Sequence, residues 1–352
     1  MSNSLTPDDV LHPHRWDLSD LQAPLKLGAP RLVEVPDLWA DDVEMTEGQR
    51  HELLAIIALC PHLWFVLTTG NPERMAECLT TGDLGHRIYA QVQRWLDHED
   101  GDPLGDGPLW DAAHEQAGKS ATGSIIDFTA WTLPLPNLIL STHVETQAEA
   151  NYRILHLLRC PAVVRGVDVV PREPIDLRHL LPSEFCRDCD CPESSHAMHD
   201  RTVGCQAGDG SEADPICGCR KLRGEATHRL GDPMANHGLR WLRVRGDSDP
   251  LHPDWVRSLR DQAVAAGVPF WFGGWGEWAT IYDRDIDDPD WRRCGEVVTA
   301  TPYPKGQWNN LAGGQGFHGD RVTYVHCVGP SASGRTLDCR VWDGVPGEVS
   351  RG

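Results

Sequence analysis

The sequence predicts an α/β fold with a mostly parallel sheet. The alternation of two sequence patterns predicts it. Apolar runs of strand length alternate along the chain with segments whose apolar residues recur at helical spacing. Helices, rather than hairpin turns, therefore separate the strands, as in β–α–β units whose helices cover a parallel sheet. The pattern suits an incomplete (β/α) barrel or an open sheet.

The predicted elements follow in chain order. Strands are predicted at residues 31–39, 62–69, 137–144, 162–170, 239–246 and 268–275, and helices at 46–60, 72–81, 145–160 and 252–267. Thr46 can cap the first helix, and Pro72 suits the first turn of the second. The run HLWFVLTT is apolar without alternation, as expected for a strand that is buried on both faces.

The elements divide the chain into regions. These are an N-terminal extension (1–24), the first part of the barrel (25–183, with an insertion at 82–134), a cysteine-rich insert (184–222), the second part of the barrel (223–279) and a loop-rich C-terminal region with hairpins (280–352). The insertion carries one further predicted helix in the run HRIYAQVQRWLDHE.

The composition excludes several classes of protein. The chain has no apolar run of about 18 residues, so we expect no membrane span. Its N-terminus lacks the apolar stretch of a signal peptide, so we expect a cytoplasmic protein. The formal net charge of −20 does not support binding to nucleic acid. A local basic surface stays open, but we interpret the basic residues between 220 and 245 as solvated charges.

A short segment, residues 186–219, contains six of the 12 cysteines together with two histidines. Thiols stay reduced in the cytoplasm, so this density indicates metal ligands rather than disulfides. The segment is poor in apolar residues and could not bury a core of its own. Zinc would hold it, because thiolate and imidazole ligands close a tetrahedral structural site and supply folding free energy. A loop with reactive thiols is the other interpretation.

The segment offers more ligands than the four that one zinc ion needs. The preferred ligands are Cys189, His196, Cys205 and either Cys217 or Cys219. The alternates, or the ligands of a second site, are Cys186, Cys191 and His199. A site so rich in cysteine is usually closed, so the expected role of the zinc is structural.

A polar pocket is predicted where the strands end, because sites in parallel α/β folds lie at the carboxyl ends of the strands. Its candidate residues are Asp37, His143, Glu145, Asp168 and Asp247. Carboxylates and an imidazole could perform acid–base chemistry or hold a metal ion. For each residue alone, a helix cap or a loop hydrogen bond is the other interpretation.

Several sequence blocks in a fixed order carry a family resemblance. They are DLWADDV, IIALCPHLWFVLTTGNPERM, PNLILSTHVETQAEANYRILHLL, PREPIDL, HPDWVRSLRDQAVAAGVPFWF with WGEW, and SGRTLDCRVWDGVP. With them the chain resembles the phage gene-product thirty-seven/sixty-eight family, also called three-Cys-motif proteins, whose function is unknown. That family looks similar to radical S-adenosylmethionine enzymes. The resemblance implies a partial α/β barrel that opens with a three-cysteine loop for an iron–sulfur cluster.

This sequence departs from the family where the cluster would bind. It has no cysteine before Cys60, and a cluster needs closely spaced thiolates, so no iron–sulfur cluster is expected within this chain. Thr69 stands where the family has Lys, and Gly273 and Gly274 stand where it has Lys-Gln. The family's Ser-Ala-Glu-Pro reads Asp-Val-Val-Pro at residues 168–171, without the Glu.

Three functions follow as hypotheses. The first is a phage or prophage accessory protein in the host cytoplasm. It would be a non-catalytic relative of the family that contains structural zinc and acts by binding, and one candidate partner is a protein. The second is a radical-type enzyme that modifies a nucleic acid base or nucleotide, its cysteine loop supplied by another chain or a missed upstream start. The third is a zinc-dependent enzyme or nucleic-acid binder that uses the insert directly. We favour the first, because the cluster loop and several charges are missing.

Overall fold

The computed structural model describes residues 5–27, 31–41, 43–96, 134–181, 238–285, 306–312 and 321–347. The predicted zinc ligands in the segment 186–219 all lie outside these residues.

A parallel sheet of seven strands forms the centre of the fold and curls into a half-barrel. Its strands, which lie side by side in chain order, are β1 (His14–Arg15), β2 (Leu32–Val35), β3 (Trp64–Thr69), β4 (Leu138–Val144), β5 (Val164–Val169), β6 (Trp241–Arg245) and β7 (Phe270–Gly274). Every neighbouring pair is parallel. The predicted parallel α/β fold is confirmed, and the curled sheet favours the incomplete barrel over the open sheet.

Strand β1 is the one strand of this sheet that the sequence did not predict. It consists of His14 and Arg15, which pair with Val33 and Glu34 of β2. Two polar residues carry no hydrophobic alternation, so the pattern contains no strand signal. Their extended conformation depends on hydrogen bonds to the neighbouring strand.

Helices connect the strands and cover the outer face of the sheet. They are α2 (Glu47–Leu59), α3 (Pro72–Leu79), α4 (Leu84–Leu96), α5 (Gln147–Leu157) and α6 (Pro253–Ala265), with a 3₁₀ turn at Ala23–Lys26. The short helix α1 (Pro7–Leu11) instead precedes β1, and its Val10 belongs to a separate apolar cluster with Leu32 and Trp241. The predicted cap of α2 is present, because the Thr46 hydroxyl accepts the Gln49 N–H and the Gln49 side chain accepts the Thr46 N–H. No helix of the described ranges is long and apolar enough to cross a membrane.

Antiparallel strands follow the half-barrel along the chain. An antiparallel sheet has β10 (Arg321–Cys327) between β8 (Trp278–Asp285) and β9 (Gly306–Asn310). A short hairpin follows, formed by β11 (Thr336–Leu337) and β12 (Arg340–Val341). Residues 342–344 then hydrogen bond to the outer edge of β7, which protects that edge of the half-barrel.

The two faces of the curled sheet carry different side chains. The outer face packs under the helices in a large apolar core that includes Val33, Phe65, Leu140, Val167 and Leu242. The inner, concave face has a smaller apolar cluster near the amino ends of the strands, which includes Leu32, Val66, Ile139, Val164 and Trp241. Polar side chains occupy the concave face toward the carboxyl ends. Strand alternation therefore positions the candidate site.

Candidate functional site

Four residues form a row across the concave face. His143 on β4 pairs in register with Asp168 on β5, and Asp168 pairs with Arg243 on β6. Arg243 in turn pairs in register with Trp271 on β7. The row lies near the carboxyl ends of the strands, where the sequence predicts the pocket, and it brings two predicted site residues, His143 and Asp168, onto neighbouring strands.

Arg243 lies at the centre of this row. Its guanidinium donates to the Asp168 carboxylate at 3.0 Å and to the Thr68 hydroxyl at 3.2 Å. Thr68 belongs to β3, so the Arg243 side chain crosses the interior of the half-barrel from β6. Arg243 is 9% exposed and Asp168 is 8% exposed. The two buried charges therefore compensate each other, as buried ions must.

Two buried polar atoms beside this ion pair have no hydrogen-bond partner in the structure as described. They are Ser141 Oγ and Arg243 Nε. Ser141 is fully buried, and the register places it between Thr68 and Gly166. A β-carbon at Gly166 would lie 3.3 Å from Ser141 Oγ, so the glycine leaves the space beside the hydroxyl open. Orphaned polar atoms cost about 1–3 kcal/mol each, so a water molecule, an ion or a ligand is expected to supply the missing partner.

A chain of charged groups extends the site toward the rim. His143 Nε2 lies 3.1 Å from a carboxylate oxygen of Glu145. Arg172 lies 3.5 Å from Glu145, donates to Asp247 at 2.9 Å and donates to Asp249 at 2.7 Å. The structure thus joins three of the predicted site residues, His143, Glu145 and Asp247, through one arginine.

These contacts keep two of the carboxylates ionised. The hydrogen bond from His143 lowers the pKa of Glu145, and the charge of Arg172 adds to this against the opposing effect of burial. Burial acts to raise the pKa of Asp247, but the backbone N–H of Asp249 and the Arg172 side chain lower it overall. A general acid or base works best with a pKa near the operating pH. Glu145 and Asp247 are therefore suited to recognition more than to proton transfer.

A protein-family model matches nearly the whole chain. A family model described as "Protein of unknown function (DUF5131)" matches residues 3–346. The chain belongs to the DUF5131 family. The matched range includes the whole half-barrel and the row on its concave face. Neither a curated protein nor a solved structure matches the chain.

Asp37 has a different role in this DUF5131 protein from the other predicted site residues. Its carboxylate accepts the backbone N–H of Trp39 at 3.0 Å and that of Gly70 at 3.0 Å. It therefore ties the loop after β2 to the loop after β3. This is the loop hydrogen bond that the sequence offered as the other interpretation, and it gives Asp37 a positioning role in the fold.

Arg243 is not a solvated charge, contrary to the interpretation of its basic neighbourhood. The sequence of β6 alternates, so Trp241 and Arg243 face the half-barrel interior while Leu242 and Val244 join the outer core. Arg245 follows on the same face and is 52% exposed at the rim. The alternation was the signal that could have identified Arg243. Arg172 carried no comparable signal, because it lies in an irregular segment after β5.

The described cysteines of this DUF5131 protein do not fit an iron–sulfur cluster. Cys60 and Cys160 are buried, and burial raises the pKa of each thiol to about 12. Across the described residues, no three side chains of Cys, His, Asp or Glu form a group that could hold a metal ion. A cluster needs closely spaced thiolates, so these residues offer it no site.

Proposed function

We propose that this DUF5131 protein is a phage or prophage accessory protein that acts by binding and not by catalysis. The half-barrel is its scaffold, and the concave face around Arg243 is its binding site. The phage origin rests on the resemblance of the sequence blocks to the phage gene-product thirty-seven/sixty-eight family. The proposed binding site rests on one observation: two buried atoms, Ser141 Oγ and Arg243 Nε, have no hydrogen-bond partner in the described structure. In this proposal a ligand supplies the hydrogen-bond partners that these two atoms lack.

The charges of the site indicate a small polar ligand rather than a nucleic acid strand. Each arginine of the site lies near a carboxylate: Arg243 and Arg245 near Asp168, and Arg172 near Asp247. A phosphate backbone is bound by basic side chains whose charge is not already compensated. Ser141 Oγ and Arg243 Nε instead offer two unused hydrogen bonds. A ligand with a carbonyl, carboxylate or hydroxyl acceptor group fits this arrangement.

The state of the carboxylates supports binding over acid–base catalysis. The pKa of Glu145 and that of Asp247 are both lowered, so both groups are charged at neutral pH. Asp168 is held by Arg243 at 3.0 Å. Fixed charges of this kind orient a ligand, whereas a general acid needs a raised pKa.

Native mass spectrometry tests the binding site directly. The full chain is incubated with the small-molecule fraction, below about 1 kDa, of a bacterial lysate and compared with two variants. Gly166→Ala places a methyl group 3.3 Å from Ser141 Oγ and fills the proposed space. Thr142→Val is the matched control, because Thr142 is equally buried on the same strand and its hydroxyl donates to the Thr69 carbonyl at 2.8 Å.

We expect one small-molecule adduct on the wild-type chain and on Thr142→Val, and at least a tenfold smaller fraction of it on Gly166→Ala. The physical reason is that the added methyl group excludes the ligand from Ser141. An adduct of equal occupancy on all three proteins, or no adduct on any of them, would contradict the proposed site.

A second candidate is an enzyme of the radical S-adenosylmethionine type that acts on a nucleic acid base or nucleotide. The curled parallel half-barrel with a polar concave face favours it. In this candidate another chain supplies the closely spaced cysteines that a cluster needs. Reductant-dependent consumption of S-adenosylmethionine distinguishes this candidate from the binding protein.

We also propose that residues 186–219 bind structural zinc. The support is the sequence of the segment, which combines six cysteines and two histidines with few apolar residues. In this proposal zinc stabilises the insert and takes no part in binding at the concave face. Elemental analysis of the purified chain is the test, and we expect about one or two zinc ions per chain and no iron.

A further inference from the structure

A cavity on the outer side of the sheet contains two buried donors. It has a volume of about 60 Å³ and lies between α2, α3, α4 and the loop after β2. Trp39 and Arg50 line it and are 1% and 6% exposed. Within the described structure, the indole N–H of Trp39 and the Nη2 group of Arg50 have no hydrogen-bond partner. Both orphaned groups are donors, so the missing partner is an acceptor.

Arg50 also lacks a counter-ion among the described residues. Its Nε donates to the Leu38 carbonyl at 3.0 Å, which is a neutral acceptor. A buried guanidinium is costly unless a negative charge compensates it. The chain has a formal net charge of −20, so carboxylates are abundant, yet none of those described is paired with Arg50. The described residues therefore supply no anion to compensate this positive charge.

The other ionisable groups around the cavity do not supply that anion. Glu47 lies at the rim with its side chain 72% exposed, and it pairs with Arg87 at 3.2 Å. Arg87 pairs in addition with Asp83 at 2.8 Å. Burial, and next the charge of Arg87, lower the pKa of His51, so this imidazole is neutral at pH 7. A neutral His51 adds no positive charge but can donate or accept one hydrogen bond.

We propose that this cavity binds a small oxyanion, either a carboxylate or an inorganic phosphate. Arg50 supplies the charge and one N–H, and Trp39 supplies the second N–H. One water molecule needs about 10–15 Å³ of such space. A cavity of about 60 Å³ therefore holds a group of a few heavy atoms and excludes a nucleotide or a peptide. Trp39 belongs to the core under the helices, and Arg50 lies on α2. This site is therefore separate from the concave face, and its test is independent of the proposed function.

Nuclear magnetic resonance of the indole groups tests the site on the full chain. The protein is labelled with ¹⁵N-tryptophan, and the Trp39 resonance is assigned by its loss in Trp39→Phe. Sodium phosphate and sodium acetate are titrated separately against sodium chloride at matched ionic strength. We expect phosphate or acetate to shift the Trp39 resonance with saturation and chloride to leave it in place. The anion that saturates identifies the ligand as a phosphate or a carboxylate.

Thermal unfolding with the same anions provides the variant comparison. The matched control is Trp16→Phe, because Trp16 is also 1% exposed but its indole N–H donates to the Asp20 carbonyl at 3.3 Å. We expect the anion to stabilise the wild type and Trp16→Phe alike. Its affinity for Trp39→Phe should be roughly tenfold weaker, the factor that one hydrogen bond to an anion is worth.

Arg50→Met should abolish the anion effect altogether. If that variant does not fold, the comparison of Trp39→Phe with Trp16→Phe still decides the question. The proposal is overturned if neither anion shifts the Trp39 resonance with saturation. It is equally overturned if the anion acts on Trp39→Phe as strongly as on Trp16→Phe.

Discussion

Removing the hydroxyl of Ser141 should stabilise the ligand-free protein. Ser141 is fully buried, and its Oγ has no hydrogen-bond partner in the part of the chain that the structure describes. An orphaned buried hydroxyl costs about 1–3 kcal/mol, and Ser141→Ala removes this cost along with only one heavy atom of packing. We therefore expect Ser141→Ala to raise the free energy of unfolding by about 1 kcal/mol.

The adjacent hydroxyl should behave in the opposite way. Thr142 is equally buried, but its hydroxyl donates to the Thr69 carbonyl at 2.8 Å. Thr142→Val keeps the shape of the side chain and removes this hydrogen bond. It should lower the free energy of unfolding by about 1 kcal/mol, so the two neighbouring variants should differ by about 2 kcal/mol.

Urea unfolding followed by tryptophan fluorescence measures this difference. The protein is first shown by native mass spectrometry to carry no small molecule, because a bound ligand would give Ser141 its partner. The denaturant slope must be the same for the three proteins for the comparison to hold. A loss of about 1 kcal/mol or more in Ser141→Ala would refute the reasoning, since the hydroxyl would then be satisfied in the free protein.

Three further results are expected. Arg172→Met should lower the free energy of unfolding at pH 7 but much less near pH 3. Carboxylates with a lowered pKa stabilise the fold above their unfolded pKa, and they lose that contribution as the pH falls below about 4. Urea midpoints across this pH range measure the difference between variant and wild type, and a difference that does not depend on pH would count against the ion-pair chain. Gly276→Ala should destabilise far more than Gly267→Ala: both glycines have positive φ, but only at Gly276 would a β-carbon meet the Asp247 carbonyl oxygen, at 2.2 Å. Gly267→Ala should cost about 1–2 kcal/mol for the left-handed backbone alone. Equal losses for the two variants in urea unfolding would therefore contradict the close packing at Gly276. Removing zinc with a chelator should expose residues 186–219 to limited proteolysis while the half-barrel stays folded, and cleavage that is independent of the chelator would argue against a structural zinc site.

Hydrophobic patterning made most of the half-barrel predictable. The apolar run at 62–69 and the capped helix after Thr46 have strong local signals, and both elements form where the pattern places them. The strand of His14 and Arg15 was not predictable, because its conformation comes from pairing with β2 and not from its own residues. The local hydrophobic pattern therefore identified the elements that bury their own apolar residues. It missed β1, which forms only through pairing with β2.

The candidate site was predictable only in part, for a related reason. His143 and Asp168 lie at strand ends, and the fold rule that sites lie there was sufficient to select them. The orphaned state of Ser141 and the space beside Gly166 depend on the register of three strands. Register follows from the assembled sheet, so no single segment of sequence contained this information.

Consumption of S-adenosylmethionine tests most directly whether this DUF5131 protein binds without reacting. The chain is expressed from its own locus with the flanking DNA and purified anaerobically together with any partner chains. It is then incubated with S-adenosylmethionine and a strong reductant, and the remaining S-adenosylmethionine is measured by chromatography. We expect the same amount to remain as in a reaction without protein. Reductant-dependent consumption by the wild type that Gly166→Ala abolishes would contradict a binding role and would identify the concave face as an active site.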